Sequence, residues 1–286
     1  MRVKPKEKEQ GLYLLLIAIL AIVTLVKIII FNSVYQSDVS RIYDFDTARY
    51  ELPAKALLDT GSLALEPHAI NSRALNAAPL YSVFIATVYK LFGENRYAVI
   101  IAQILVSTLT IFSVYLIAAK LWSQSTGVIA ALLMALEPLQ FVYSQVMLSE
   151  TLSTAITTLF IVFFVYMMLS KKHVYRFALL VGLALAAATM TRPVNYFLIF
   201  PVVMGIIWFR KSVNLQRVSL SRLLLIIIVP YMLIIGSWHV RNGLLTGAYE
   251  FSDNGSTLVL RYKAAAVLAY QQGITDDEAY EQIKKD

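Results

Sequence analysis

GLYLLLIAILAIVTLVKIIIF (Gly11–Phe31) is the stretch on which the fold turns. A helix needs about 20 consecutive apolar residues to cross the hydrocarbon core of a bilayer, and this run has that length with one charge in it. It is too long for the apolar part of a secretory leader, and no small-residue cleavage site follows it, so an uncleaved span is expected. Lys27 lies near its far end and is expected to snorkel toward the headgroups. The preceding residues, MRVKPKEKEQ, are polar and basic, which places the N-terminus in the cytoplasm and residues 33–80 outside.

The rest of the chain has the same character. Of 286 residues, 58% are hydrophobic and 15% charged, whereas a soluble domain averages about 45–50% and about a quarter. Six further apolar segments follow: Tyr97–Leu121, Gly127–Met147, Leu152–Leu169, Phe177–Met190, Tyr196–Phe209 and Leu223–Trp238. The expected fold is therefore an all-α polytopic membrane protein with about seven transmembrane helices. Several segments are short for a span, which suits a tilted, protein-buried bundle. The net charge of +7 does not point to nucleic acid, because the basic residues cluster in short connectors where they set topology. Lys171-Lys172-His173 with Arg176, and Arg210-Lys211 with Arg217 and Arg222, read as cytoplasmic; the plasma membrane is the expected location. There is no cysteine, which removes disulfides, thiolate nucleophiles and cysteine-ligated metals. The three histidines are widely separated and show no ligand spacing.

The chain divides into a cytoplasmic N-terminus (1–10), a transmembrane domain (11–241) and an extracytoplasmic C-terminal segment (242–286). The loop over 33–80 is too polar to be membrane and too long for a simple connector. Ala54–Thr60 reads as helix with Gly61 as its stop, and Pro53 either starts that helix or kinks a longer one begun at Asp46. A second short helix, interfacial in character, runs from the Asn76–Tyr81 stretch to Phe92. Near the loop's start lies Asp44-Phe45-Asp46-Thr47-Ala48-Arg49-Tyr50. If Asp46 opens a helix, Arg49 and Tyr50 fall at i+3 and i+4, so a carboxylate, a guanidinium and a phenol share one face. A capping Asp46 with an internal salt bridge explains the same residues without chemistry. Asp44 is the rival acid.

On the same membrane face fall Ser149-Glu150, Thr191-Arg192-Pro193 and Arg241-Asn242-Gly243. Asp46 and Glu150 with Arg192 and Arg241 form a set of both signs. Singly, each is an interfacial anchor; together they suit an anionic ligand at the membrane surface, with carboxylates for base or metal work and arginines to grip phosphate. Glu137 precedes Pro138 in the third segment, where the proline is expected to break the helix and put the carboxylate near an outer cavity. His239 and the 17 tyrosines read as interface residues.

Taken in order, these motifs resemble the GT-C glycosyltransferases of the dolichyl-phosphate-mannose-protein mannosyltransferase and aminoarabinose-transferase type. Asp46-Thr47-Ala48-Arg49-Tyr50 with Gly61 resembles the first outer loop of those enzymes. Pro79-Leu80-Tyr81, Leu91-Phe92-Gly93, Leu148-Ser149-Glu150-Thr151-Leu152, Thr191-Arg192-Pro193, Ser237-Trp238-His239-Val240-Arg241-Asn242 and Asp253-Asn254-Gly255 resemble later motifs. Two departures stand out: Thr47 where an acid is common, and Asn76-Ala77-Ala78 in place of a Lys-Pro. The chain also stops soon after its last apolar segment, as a fragment or a minimal or inactive member would.

The resemblance implies sugar transfer from a polyprenyl-phosphate donor to a glycan, lipid or protein acceptor outside the cytoplasm. It implies Asp46 as base and Glu150 as a second catalytic acid. Arg49, Tyr50, Arg192, Arg241 and Asn242 would bind substrate. A divalent metal ion, held by Glu150 and Asp46, is the one cofactor such a set admits. Two other readings share the spans: a lipid or small-molecule transporter, for which no inverted repeat is found, and an inactive homologue.

Overall fold

The computed structural model describes residues 5–35, 38–44, 46–64, 77–210, 215, 218–252 and 259–283. All regular structure among them is helical. Asn76, the Lys211 and Arg217 of the second basic connector, and the Asp253-Asn254-Gly255 turn lie outside the described residues.

The chain runs through α1 (Pro5–Ile30), α2 (Thr47–Thr60), α3 (Leu80–Phe92), α4 (Arg96–Leu121), α5 (Gln124–Ala135), α6 (Pro138–Tyr143), α7 (Glu150–Leu169), α8 (Val174–Thr191), α9 (Ile199–Phe209) and α10 (Leu220–Thr246), then two short helices, Ala265–Gln272 and Asp276–Ile283. Five segments are long and apolar enough to cross a membrane: Glu9–Val34, Arg96–Leu121, Glu150–Leu169, Val174–Thr191 and Leu220–Thr246. The protein is a polytopic helical membrane protein.

Two of the segments expected as spans are not continuous α-helix: one breaks at Pro138, as expected, and the other begins as a 3₁₀ turn opened by Pro193. Pro138 has no N–H to give and its ring would clash with the preceding turn. The third segment therefore stops at Ala135 and restarts as α6, with Glu137 at the N-cap accepting from the Gln140 backbone N–H. Pro193 likewise begins a 3₁₀ turn, Pro193–Leu198, ahead of α9. The last span is longer than expected: α10 carries through Arg241 and ends at Thr246, where Gly247 takes the left-handed conformation.

Three apolar clusters make the core. One joins α7, α8, α9 and α10; the second gathers the end of α1 with α2, α3 and α4; the third packs α1 against α4 and α5. Small residues bring the backbones close. A Cβ on Gly182 of α8 would sit 2.5 Å from the Ile227 carbonyl oxygen of α10, so only glycine allows this crossing.

Lys27 overturns the snorkelling expectation. It is fully buried, and its ammonium donates to Ser107 Oγ (2.9 Å) and Gln140 Oε1 (2.7 Å). The cause is that Ser107 on α4 and Gln140 on α6 offer acceptors inside the bundle, close enough to replace water.

Candidate active site

The first helix after α1, α2, is held down by polar contacts at its start and its middle. Thr47 is buried; its hydroxyl donates to the Met147 carbonyl (3.0 Å) and accepts from the Asp44 N–H (2.9 Å). The Met147 N–H in turn donates to the Ile42 carbonyl (3.0 Å). These bonds stitch the approach to α2 onto the turn that precedes α7. Thr47, which stands where the resemblance leads one to expect an acid, is thus a docking residue.

One turn further on, Glu51 is buried and takes Nε and Nη2 of Arg96 (2.8 and 3.1 Å) and the Tyr89 hydroxyl (2.7 Å). Burial pushes its carboxyl up, but the Arg96 and Tyr89 hydrogen bonds outweigh this and leave it below the usual glutamate range. Lys55 extends the network to Glu94 (2.7 Å). α2 is continuous across Pro53, the longer of the two helices the sequence allowed, and ends at Gly61 as expected.

With α2 fixed, its N-terminus carries the acid read from the sequence. Asp46 occupies the N-cap position but makes no capping bond there; its carboxylate lies 3.6 Å from Arg49 and is about half exposed. Tyr50 reaches Ser149 (3.2 Å between hydroxyl oxygens) and meets Tyr81 edge-on at 5.0 Å. Burial raises the Tyr50 phenol above its ordinary range; the Ser149 bond draws it down, and Glu150 pushes it up again. Tyr50 is therefore a neutral donor at physiological pH. Next to Ser149, Glu150 opens α7 and forms an ion pair with Arg192 at 2.5 Å, across the ends of α7 and α8. Asp46, Glu150 and Arg192 all act electrostatically on Tyr50, so their charges lie within reach of its phenol.

Arg241 and Asn242 have other partners. Arg241 stacks on Trp238 (4.5 Å to the ring centre) and donates to Asn242 (2.8 Å). Asn242 is fully buried, and its amide donates to the carbonyls of Glu250 and Phe251. His239 links Tyr196 (3.1 Å) to the Tyr249 carbonyl (2.9 Å), a structural role within the protein. Gly243 lets the Tyr249 ring lie directly on α10, where any Cβ would collide.

Glu137 lines a cavity of about 260 Å³ together with Glu150, Thr151 and Gln140. The helix break places it there, as Pro138 predicts. For a metal, the donor set is thin. Asp46 and Glu150 each already face a guanidinium, and among the described residues no group of three or more His, Asp or Glu is placed to hold an ion. As arranged, these carboxylates fit arginine better than a divalent cation.

The sequence model of the dolichyl-phosphate-mannose-protein mannosyltransferase family matches residues 76–235, more than half of the chain. The chain belongs to that family. The matched region contains Glu150 and Arg192, and lies between Asp46 on one side and Arg241 on the other. No curated protein and no solved structure matches the chain. As a member of the mannosyltransferase family it is a GT-C-type membrane glycosyltransferase.

Reasoning from sequence missed the Tyr50–Ser149 contact, the Glu51–Arg96 clamp and the burial of Lys27. Glu51 carried a usable signal: it is the acid that falls off the Asp46–Tyr50 face of α2, toward the protein.

Proposed function

We propose that this glycosyltransferase moves a sugar from a polyprenyl-phosphate donor to a hydroxyl of a glycan, lipid or protein acceptor at the extracytoplasmic face of the plasma membrane. The N-terminus is cytoplasmic in this reading. The observation that carries it is the Glu150–Arg192 pair, set beside Asp46 and Tyr50 at the ends of two spans.

The chemistry follows from the leaving group. A polyprenyl phosphate departs as an anion, so it requires charge neutralisation more than protonation, and a guanidinium supplies this through paired N–H donors. Arg192 holds the phosphate, and Glu150 sets the guanidinium's direction and orients the acceptor. Asp46 takes the proton of the acceptor hydroxyl. The acceptor oxygen then bonds to the anomeric carbon, and the bond from that carbon to the phosphate oxygen breaks. Its electron pair leaves with the lipid phosphate. Arg49 and the Tyr50 hydroxyl contact the reacting groups; Arg241, held by Asn242, is a second cation for the donor. A divalent ion is not required by this scheme.

The test is sugar release by the purified protein from a panel of polyprenyl-phosphate sugars, with and without a chelator. Release from at least one donor, insensitive to chelation and lost in Arg192→Ala, is expected. Binding of donors without any release would identify an inactive homologue.

A further inference from the structure

Beyond α10 the chain doubles back toward the bilayer. α10 is apolar from Leu223 to Ile235 and turns polar at Ser237-Trp238-His239 and Arg241-Asn242, which marks where it leaves the hydrocarbon. Past Gly247 the chain reverses. Trp238 Nε1 donates to the Phe251 carbonyl (2.9 Å), and the Asn242 amide donates to the carbonyls of Glu250 (2.8 Å) and Phe251 (3.2 Å). Phe251, itself buried, is thereby tied to the level of Trp238, where indole side chains favour the headgroup layer. The few residues from Phe251 to Val259 reach at most about 30 Å even when fully extended, so the next helices stay within reach of that layer.

Those helices form a hairpin. A π-helical turn, Val259–Ala264, runs into α11 (Ala265–Gln272), and Gly273 in the left-handed conformation leads on to α12 (Asp276–Ile283). Ala265 and Ala269 face α12 and pack with its Ala279. The opposite face of α11 and the turn is a stripe at helical spacing, made of Val259, Tyr262, Lys263, Val267 and Tyr270. All five side chains are exposed, Tyr270 at 92%. An apolar stripe of this kind left open to water marks a contact surface.

Charge identifies what covers it. The segment 259–272 carries Arg261 and Lys263 and no acid, whereas α12 carries Asp276, Asp277, Glu278 and Glu281 and no base. Because α12 lies against the reverse side of α11, the acids are held away from the stripe. Tyrosines with apolar bodies and polar tips, valines and a lysine are the side chains that suit the boundary between acyl chains and phosphates. A second copy seated on the stripe would set two basic segments against each other.

We propose that the hairpin Val259–Ile283 lies on the membrane, with the Val259–Tyr270 stripe in the headgroup layer of the leaflet where α10 ends and α12 facing water. The reversal at Phe251 sets the height, and the stripe sets which side is down.

The absence of cysteine makes the test direct. Val267→Cys, Tyr270→Cys and Asp277→Cys are made singly in the full chain, spin-labelled, and placed one copy per nanodisc of phosphatidylcholine with phosphatidylglycerol. All three positions are exposed, so folding is retained. Collision rates are then read with oxygen, which enters the bilayer, and with a nickel chelate, which stays in water. Labels at 267 and 270 should meet oxygen more often than nickel and report a depth of about 5–10 Å into the headgroup and acyl boundary; the label at 277 should show the reverse. Adding Tyr270→Ser to the 267-labelled protein should bring the nickel collisions back up. Nickel collisions at 267 and 270 as frequent as at 277 would place the stripe in water and overturn the proposal. Protection of 267 and 270 from both reagents would mean that protein covers the stripe, and would overturn it equally.

Discussion

At the scale of the residue, the protein separates acids that look alike in sequence. Asp46 is open to water, paired only loosely with Arg49 at 3.6 Å, and such exposed pairs contribute about 0–1 kcal/mol. Its carboxylate is therefore available for proton transfer. Asp46→Asn should lower turnover by about 10²–10⁴, the usual contribution of a general base, while expression and donor affinity persist. A merely capping aspartate would tolerate asparagine with turnover near wild type. Arg192 makes the complementary case. Arg192→Ala should weaken donor binding by about tenfold or more, since hydrogen bonds to charged groups contribute about 1.5–3 kcal/mol. Arg192→Lys should not restore it, because a point charge replaces a planar fork. Equal donor affinity in all three proteins would return Arg192 to an anchoring role. The Asp46–Arg49 relation was readable because it lies within one turn of helix. Nothing local announces the Tyr50–Ser149 contact, which spans 99 residues.

At the scale of the element, the placement of α2 depends on two attachments. Thr47→Val removes the bond to the Met147 carbonyl and the acceptor for the Asp44 N–H, which should destabilise the docked loop by about 1–3 kcal/mol. Limited proteolysis between residues 42 and 61 would report it; an unchanged digestion pattern would mean that packing alone holds the loop. The second attachment is sensitive to pH. The Glu51 carboxyl is lower in the folded protein than when free, so it binds its proton more readily in the unfolded chain. Its contribution is complete above the ordinary glutamate range and is lost as pH falls through the lowered folded value. Acid should therefore loosen α2 in wild type, and Glu51→Gln should flatten that dependence. Equal acid sensitivity in the two proteins would assign it to another group. The ends of α2 at Gly61 and of α3 at Phe92, and the middles of the long spans, were legible because hydropathy and glycine mark them locally, whereas the start of α2 stayed open between Asp46 and Pro53 and the extension of α10 to Thr246 was missed. The Glu51–Arg96 clamp was not, because its partners lie 45 residues apart.

At the scale of the whole molecule, the bundle ends α7 and α8 on the same side as α2, which is what brings Glu150 and Arg192 under Tyr50. Orientation in the membrane is open to a direct measurement, helped by the absence of cysteine. Single cysteines near Asp59 should react with an impermeant reagent in intact cells, and those near Lys172 should not; the reverse pattern would place the acids on the wrong side for the proposed reaction. Span counting from sequence reached the right fold class, and the break at Pro138 was legible, but the 3₁₀ start of the Tyr196–Phe209 segment was not, because hydropathy windows do not register a missing N–H. The same blindness hid Lys27, whose meaning depends on where α4 and α6 arrive. That burial has a consequence for how the protein is made. The ribosome delivers α1 well ahead of its partners: Ser107 is 80 residues later and Gln140 is 113 later. Until then an ammonium sits near the far end of an apolar segment with none of its later acceptors, at a cost below the about 2.5–3.5 kcal/mol that insertion scales give a lysine at a helix centre. Lys27→Met should make isolated α1 integrate more readily, yet leave the finished protein with its Ser107 and Gln140 acceptors unanswered. The newborn chain thus carries its own inspection mark, cleared only when the later helices have come in.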